Sequence, residues 1–310
     1  MSESTENPRV VGDLAQQEFS SALAGQGLGV GIGPFAAHLR VDVAGLDEGL
    51  YRLYRDYPLL SRDRVFNFHC AIEERRRFGI VGKRLVRFTV DGRAPHEDFP
   101  AKQSLAILEW GINLVIALRS QRYIMLHAAV LERGGKTVVM PASPGDGKTT
   151  LCAGLAHRGW RLFSDEFGLI PPTRDVLIPM PRPMALKNES IGVIREFAPE
   201  AELGPVIPNT RKGTVAHVKP PSASVAAAGH GAPAGWIVFP RWVAGSPLSL
   251  EEIPPSEGFM FLASNAFNYE LCGERAFISL RNIVAGARCF RLEYSNLEEA
   301  VEALSKLADD

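Results

Sequence analysis

The residues best spaced for chemistry are Ala142-Ser143-Pro144-Gly145-Asp146-Gly147-Lys148-Thr149-Thr150. Two glycines let the backbone turn so that successive N–H groups converge on phosphate oxygens. A lysine follows to reach the outer phosphates, and a hydroxyl sits beside it for Mg²⁺. The run fits a Walker A pattern with alanine at the first glycine position. On this reading Ser143, Pro144, Gly145, Asp146, Gly147, Lys148, Thr149 and Thr150 bind ATP. Lys148 acts at the β- and γ-phosphates, and Thr149 is a ligand of Mg²⁺. Seventeen residues beyond Lys148, Asp165-Glu166 closes a strand-like run. One carboxylate there suits the metal, and the other suits taking a proton from an attacking hydroxyl.

Fewer signals mark the remaining candidates. His127 alternates with apolar neighbours, which by itself describes a buried, hydrogen-bonded histidine on a strand. Lys187-Asn188-Glu189-Ser190 reads either as a solvent-exposed turn or as a polar loop over the nucleotide. In the second case Lys187 contacts phosphate and Glu189 the metal. Arg211 and Lys212 form a cationic turn, and either could stabilise charge on a transferred phosphoryl group. His69, His96, His157, His217 and His230 show no metal-ligand spacing. Phe259, Phe261, Phe267 and Tyr269 read as core aromatics.

These residues need a scaffold, and hydropathy patterning outlines one. Met125–Glu132 and Thr137–Met140 form a hairpin turning at Arg133-Gly134-Gly135, and its second strand feeds the glycine loop. A helix follows over Lys148–His157, with Gly159 placed to end it. A strand at Trp160–Phe163 then delivers the acid pair. Upstream, the spacing of Leu105, Leu108, Ile112, Val115 and Leu118 predicts an amphipathic helix over Lys102–Arg119. Strands are predicted at 28–43, Val65–Ile72 and Leu85–Val90, the last closed by Asp91-Gly92. Residues 1–10 read as a disordered tail. Ser222–Gly235 reads as a mobile loop, Gly235–Pro240 as a strand, and Glu298–Leu307 as a terminal helix opened by Ser295-Asn-Leu-Glu298. The expected organisation is an N-terminal sheet-rich region over 1–100 and a catalytic domain over 101–310.

The whole-chain properties narrow the function class. The chain has 310 residues, 46% of them hydrophobic and 22% charged, with a formal net charge of -1. No global basic field is present to hold nucleic acid. The densest basic run, Arg75-Arg76-Arg77, follows Glu73-Glu74 and reads as a solvated face. Four scattered cysteines without a C-x-x-C pair suggest a reducing compartment. The polar start MSESTENPRV lacks the apolar core of a signal peptide. The apolar stretch Trp110–Leu118 is too short to cross a bilayer. The expectation is therefore a cytoplasmic protein with neither a nucleic-acid nor a membrane partner.

The run GDGKTTLCAGLAHRGWRLFSDEFGLI resembles the core of HPr serine kinase/phosphorylase. There, loop, helix, an R-G-x-R-L signature and an acidic pair follow in the same order. Here that signature is Arg158-Gly159-Trp160-Arg161-Leu162, and Leu126-His127-Ala128 stands where the family carries a histidine before its loop. PRPMALKNESI (Pro181–Ile191) and TRKGTVAHV (Thr210–Val218) are similar to the group called HPr kinase-related kinase A. The resemblance implies an α/β (α+β) carboxykinase-like P-loop fold with a mixed sheet. It also implies an active-site role for His127 and a possible homo-oligomer. The enzyme proper has Asp-Asp where this chain has Asp165-Glu166, so the proton-acceptor role falls by position on Glu166. The activity expected is transfer of the ATP γ-phosphoryl group to a hydroxyl of a protein, peptide or small molecule. The alternatives are a carboxykinase-like enzyme acting on an acidic metabolite and a non-catalytic nucleotide-sensing module. The sequence shows no cationic cluster for an acidic metabolite, and a sensing module has no need of the acid pair.

Overall fold

A computed structural model describes residues 9–76 and 82–309; residues 1–8 of the predicted tail and Arg77 of the basic run lie outside them. The alternating stretch 28–43 is a hairpin rather than one strand. After α1 (Gln16–Ala24), β1 (Leu28–Ile32) turns at Gly33 into β2 (Phe35–Asp42). Gly33 has φ 53°, and a Cβ there would lie 2.5 Å from the Pro179 carbonyl oxygen, so only glycine fits the turn. α2 (Asp47–Tyr54), β3 (Leu59–Leu60), β4 (Phe68–Arg76), β5 (Arg84–Val90) and β6 (Phe99–Pro100) complete a sheet of order β3-β1-β2-β4-β5-β6. The strand expected from Val65 starts at Phe68 instead, because Val65 is 90% exposed and has no core to face.

The next helix is α3 (Ser104–Arg119), entered through a 3-10 turn at Ala101–Gln103. Leu105, Ala106, Ile107, Leu108, Ile112 and Ile116 are all buried, whereas Leu118 of the expected apolar stripe is 63% exposed. The helix is therefore enclosed around most of its circumference rather than amphipathic. Ala101–Arg119 is long and apolar enough by composition to cross a membrane, contrary to the reading of a short stretch, but 61% of that window is buried within the protein. Gly111 lets α3 approach β5, since a Cβ there would lie 2.5 Å from the Phe88 ring. Glu109, buried on α3, accepts hydrogen bonds from Tyr54 Oη (2.7 Å) and Arg182 Nη2 (2.5 Å), tying α2 and the segment beyond residue 180 to this helix.

β7 (Ile124–Arg133) and β8 (Lys136–Pro141) form the expected hairpin, with positive φ at both Gly134 and Gly135. α4 (Lys148–Ala156) follows, and Gly159 (φ 90°) turns the chain into β9 (Arg161–Ser164) and β10 (Phe167–Ile170). β9 and β10 both pair with β7, so the acid pair interrupts a line of strand rather than ending it. A small sheet of order β11-β13-β12 comes next: β11 (Met184–Lys187), α5 (Glu189–Phe197), β12 (Ile207–Thr210) and β13 (Gly213–Val218).

The stretch 222–235, expected as a mobile loop, is packed against β9. α6 (Ser222–Ala226) buries Ser224, whose Oγ accepts the Leu162 N–H at 2.9 Å, and Arg161 donates to the Ala227 and His230 carbonyls. β14 (Ala234–Trp242), β15 (Ser249–Ile253), α7 (Pro255–Ser264), α8 (Tyr269–Cys272), α9 (Glu274–Ala285), β16 (Arg288–Tyr294) and α10 (Leu297–Asp309) complete the described chain. Asn296, rather than Ser295, caps α10 by accepting the Glu298 N–H at 2.9 Å.

The central sheet runs β10-β7-β8-β14-β16-β15 with β9 beside β7; β14 is parallel to β8 and β16, and the other pairs are antiparallel. Alternation along β7 and β8 fills two cores. Ala129, Leu131, Val138 and Met140 pack towards α4 and α10, while Ala128, Val130 and Val139 pack towards α7 and α9. The chain is thus a mixed α/β protein with several sheets, and its glycine loop emerges from the middle of a buried sheet.

Candidate functional site

The 142–147 loop is shaped by two glycines with different surroundings. Gly145 has φ 103° and open space where a Cβ would be, and Gly147 has φ 83°. A Cβ on Gly147 would meet Tyr294 Oη at 2.5 Å and Trp242 Cβ at 2.9 Å. Neighbouring strands brace the loop: Tyr294 Oη donates to Gly147 O (3.2 Å) and Trp242 N to Asp146 O (3.0 Å). Within the loop the Asp146 carboxylate accepts the Ser143 N–H at 2.8 Å. Leu151 supplies the first N–H of α4 with an intrahelical acceptor, Gly147 O at 3.0 Å. The amides of Lys148, Thr149 and Thr150 precede that bond and, with the helix dipole, present a setting for an anion. Ser143, Pro144 and Gly145 are exposed at the loop's tip.

Lys148 does not point into solvent. It is 8% exposed, its Nζ donates to the Asp165 carbonyl and lies 3.9 Å from Asp165 Oδ1. Asp165 is equally buried, and its Oδ1 has no hydrogen-bond partner. Burial pushes its carboxyl up to about 6; Glu166 adds to the rise, while Lys148 and the neighbouring Thr149 hydroxyl oppose it. Glu166 is held by its backbone, whose N–H donates to Ser164 Oγ at 3.2 Å, so its side chain is left half-buried beside the loop. His127 pairs across β7 and β10 with Phe167, next to that bulge. Its ring lies close enough to the Glu166 backbone for that backbone to raise its pKa, and packs on Phe267 at 5.4 Å, while the buried Nδ1 has no partner. Burial and then Lys148 lower its pKa, so the ring is neutral at pH 7. Asp165, Glu166, His127, Lys148 and Thr149 are therefore brought together.

No protein-family model matches this chain, and no curated protein matches it.

The cationic turn resolves into two different roles. Arg211 is a surface residue: it pairs with Glu97, both side chains 69% exposed, and stacks on Phe99 at 4.9 Å. Lys212 instead lays its ammonium over Trp110 at 5.0 Å. Desolvation and then Lys187 lower its pKa, while Glu166 raises it. Lys187 ends β11, and Lys212 sits in the β12–β13 turn at the same end of the small sheet. Residue types alone could not separate Arg211 from Lys212, because the choice depends on which way that hairpin turn faces. Glu189 opens α5 at an exposed position, and no described interaction links it to Asp165 or Thr149. Among the described residues no group of three or more His, Cys, Asp or Glu side chains is gathered for a metal. An oxygen-seeking cation would find Thr149 Oγ1 and the orphaned Asp165 Oδ1, a donor set that fits Mg²⁺ with phosphate oxygens completing it.

On the other side of the loop lies a cavity of about 270 Å³ at the carboxyl ends of β14 and β16, lined by Asp146, Phe239, Arg241, Phe261, Arg291 and Glu293. Phe261 was expected in the core but is 38% exposed and lines this cavity, and Phe267 is 54% exposed. Phe259 and Tyr269 do pack on the core. Tyr294 and Trp242 gave no sequence signal, since both reach the loop from strands more than ninety residues away. The arrangement gathers the free amides at the start of α4, a lysine, a half-buried carboxylate and a buried one, and two further cations.

Proposed function

We propose that this protein is an ATP-dependent kinase of the HPr kinase-related kinase A type, with a carboxykinase-like P-loop fold. The observation that carries the reading is the convergence of Lys148, Thr149, Asp165, Glu166 and His127 at a glycine loop between a central strand and a helix. The α4 amides and Lys148 would bind the phosphates, and the cavity at Phe239 and Phe261 suits the nucleoside end. Thr149 and Asp165 would hold Mg²⁺, which neutralises phosphate charge when bound. Asp165, with its carboxyl at about 6, is mostly ionised at pH 7.5 and so able to serve.

Glu166 would take the proton from the acceptor hydroxyl, and the neutral His127, paired across the sheet with Phe167 beside Glu166, would orient that turn. Lys187 and Lys212 would meet negative charge on the transferred group or the acceptor. That lysine pair also favours a second reading, because an acidic metabolite needs neighbouring cations and the sequence alone had not brought these two together. Incubation with γ-labelled ATP and Mg²⁺, with and without cell extract, separates the two. A phosphate monoester stable to mild acid supports hydroxyl transfer. An acid-labile acyl phosphate or ATP-dependent decarboxylation supports the second reading. Absence of any labelled product, together with absence of ATP hydrolysis, contradicts both.

A further inference from the structure

A second cavity lies away from the glycine loop, where the first sheet meets the segments around Pro181 and Val225. It has a volume of about 510 Å³. This falls within the range of roughly 300–1,000 Å³ usual for small-molecule sites. Its lining includes Phe35, Leu60, Val65 and the prolines Pro34, Pro58 and Pro181, and its charged lining residues are Arg64 and Arg122. No aspartate or glutamate lines it. Among the described residues neither arginine side chain has a carboxylate partner.

Arg122 is held by rings instead of by an acid: its guanidinium carbon lies 4.9 Å from the Tyr123 ring centre and 6.0 Å from that of Phe35. A guanidinium so stacked keeps its N–H fork free and partly fixed, which lowers the ordering cost of gripping an anion. Asn67 adds donors: its Oδ1 is occupied by the Ala36 N–H at 2.7 Å, leaving its NH₂ group for a ligand. The Tyr57 hydroxyl is spent on the Pro181 carbonyl at 3.0 Å and contributes shape only. Two arginines without a carboxylate partner among the described residues, beside the side chains of Phe35, Leu60 and Val65 and with side-chain donors but no side-chain acid in the lining, select one chemistry.

We infer that this cavity is a second binding site, for a small organic anion with an apolar body and a carboxylate or phosphate head. The head would engage Arg122 and Arg64, and the body would lie against Phe35, Leu60 and Val65. The site shares no lining residue with the glycine loop, so it stands or falls independently of the kinase reading.

The test uses two probes with the same body, 4-phenylbutyrate and 4-phenylbutanol, titrated calorimetrically into the full-length protein. The wild type should bind the anion at least tenfold more tightly than the alcohol. Arg64→Ala/Arg122→Ala should reduce that preference to below twofold, and Lys148→Met should leave it unchanged. Ala228→Trp, at a partly exposed lining position, should block both probes, and it keeps the test available if the double variant folds poorly. Equal or absent binding of the two probes by the wild type overturns the inference. So does a preference that survives the arginine substitutions, or one lost in Lys148→Met, which would move the anion to the loop.

Discussion

Asp165→Asn should make the protein more stable while weakening its magnesium-dependent chemistry. The carboxyl is buried, lacks a partner at Oδ1, and is pushed from an ordinary 3.8 to about 6, chiefly by desolvation. Holding such a group ionised in the folded state costs about 3 kcal/mol, at 1.36 kcal/mol per pH unit. Because the folded value lies above the unfolded one, the unfavourable contribution is absent below pH 3.8. It develops as pH rises to 6 and is complete above about 7. Asparagine has nearly the same shape and no charge to desolvate. Urea unfolding of wild type and variant at pH 4.5 and pH 8 should therefore show a small gap at the lower pH. The variant should be more stable by about 3 kcal/mol at the higher. His127, whose lowered pKa gives the opposite slope, titrates in both proteins and largely cancels in the difference. A variant less stable than wild type at pH 8, or a gap that does not change with pH, would refute the reasoning. The same variant should lose the Mg²⁺-dependent part of its stabilisation by ATP.

Gly147→Ala should cost about 2–5 kcal/mol, combining the left-handed backbone with overlap on Tyr294 and Trp242. Gly145→Ala, with the same kind of backbone penalty but open space, should cost only about 1–3 kcal/mol; thermal unfolding that reverses this order contradicts the bracing described. Glu166→Gln should keep nucleotide affinity and reduce kcat by about 100-fold or more in a labelled-ATP assay, and full activity would remove its role as base. Lys212→Ala should reduce turnover by about 100-fold, while Arg211→Ala stays within about twofold in the same assay. Equal effects would mean that the two cations are not divided as the hairpin divides them.

Local signals carried much of this architecture. The Gly134-Gly135 hairpin, the loop-to-helix junction at Gly147-Lys148 and the glycine ending α4 were all legible, because each depends on residue types within a few positions. What failed depended on distant partners. Val65 matched a strand pattern yet has nothing to pack on, and α3 matched an amphipathic stripe yet is enclosed by sheet, helix and the Arg182 segment. Small residues at 222–235 suggested mobility, but the buried Ser224 and the Arg161 contacts fix them from strands sixty residues away. At the site, the loop and acid pair could be read directly. The placing of Lys212 over Trp110, the surface fate of Arg211 and the exposed position of Glu189 all follow from how the small sheet is turned.

The central claim, that the glycine loop binds the phosphates of ATP through Lys148, is tested most directly by nucleotide-dependent stability. Lys148 is buried against Asp165, so Lys148→Met, which keeps the apolar stem, is preferable to alanine. Wild-type protein with MgATP at about 100 times its dissociation constant should gain roughly 2.7 kcal/mol of stability. Lys148→Met should unfold cooperatively on its own and lose most of that gain. An undiminished gain in the variant, or none in the wild type at millimolar MgATP, would contradict the account.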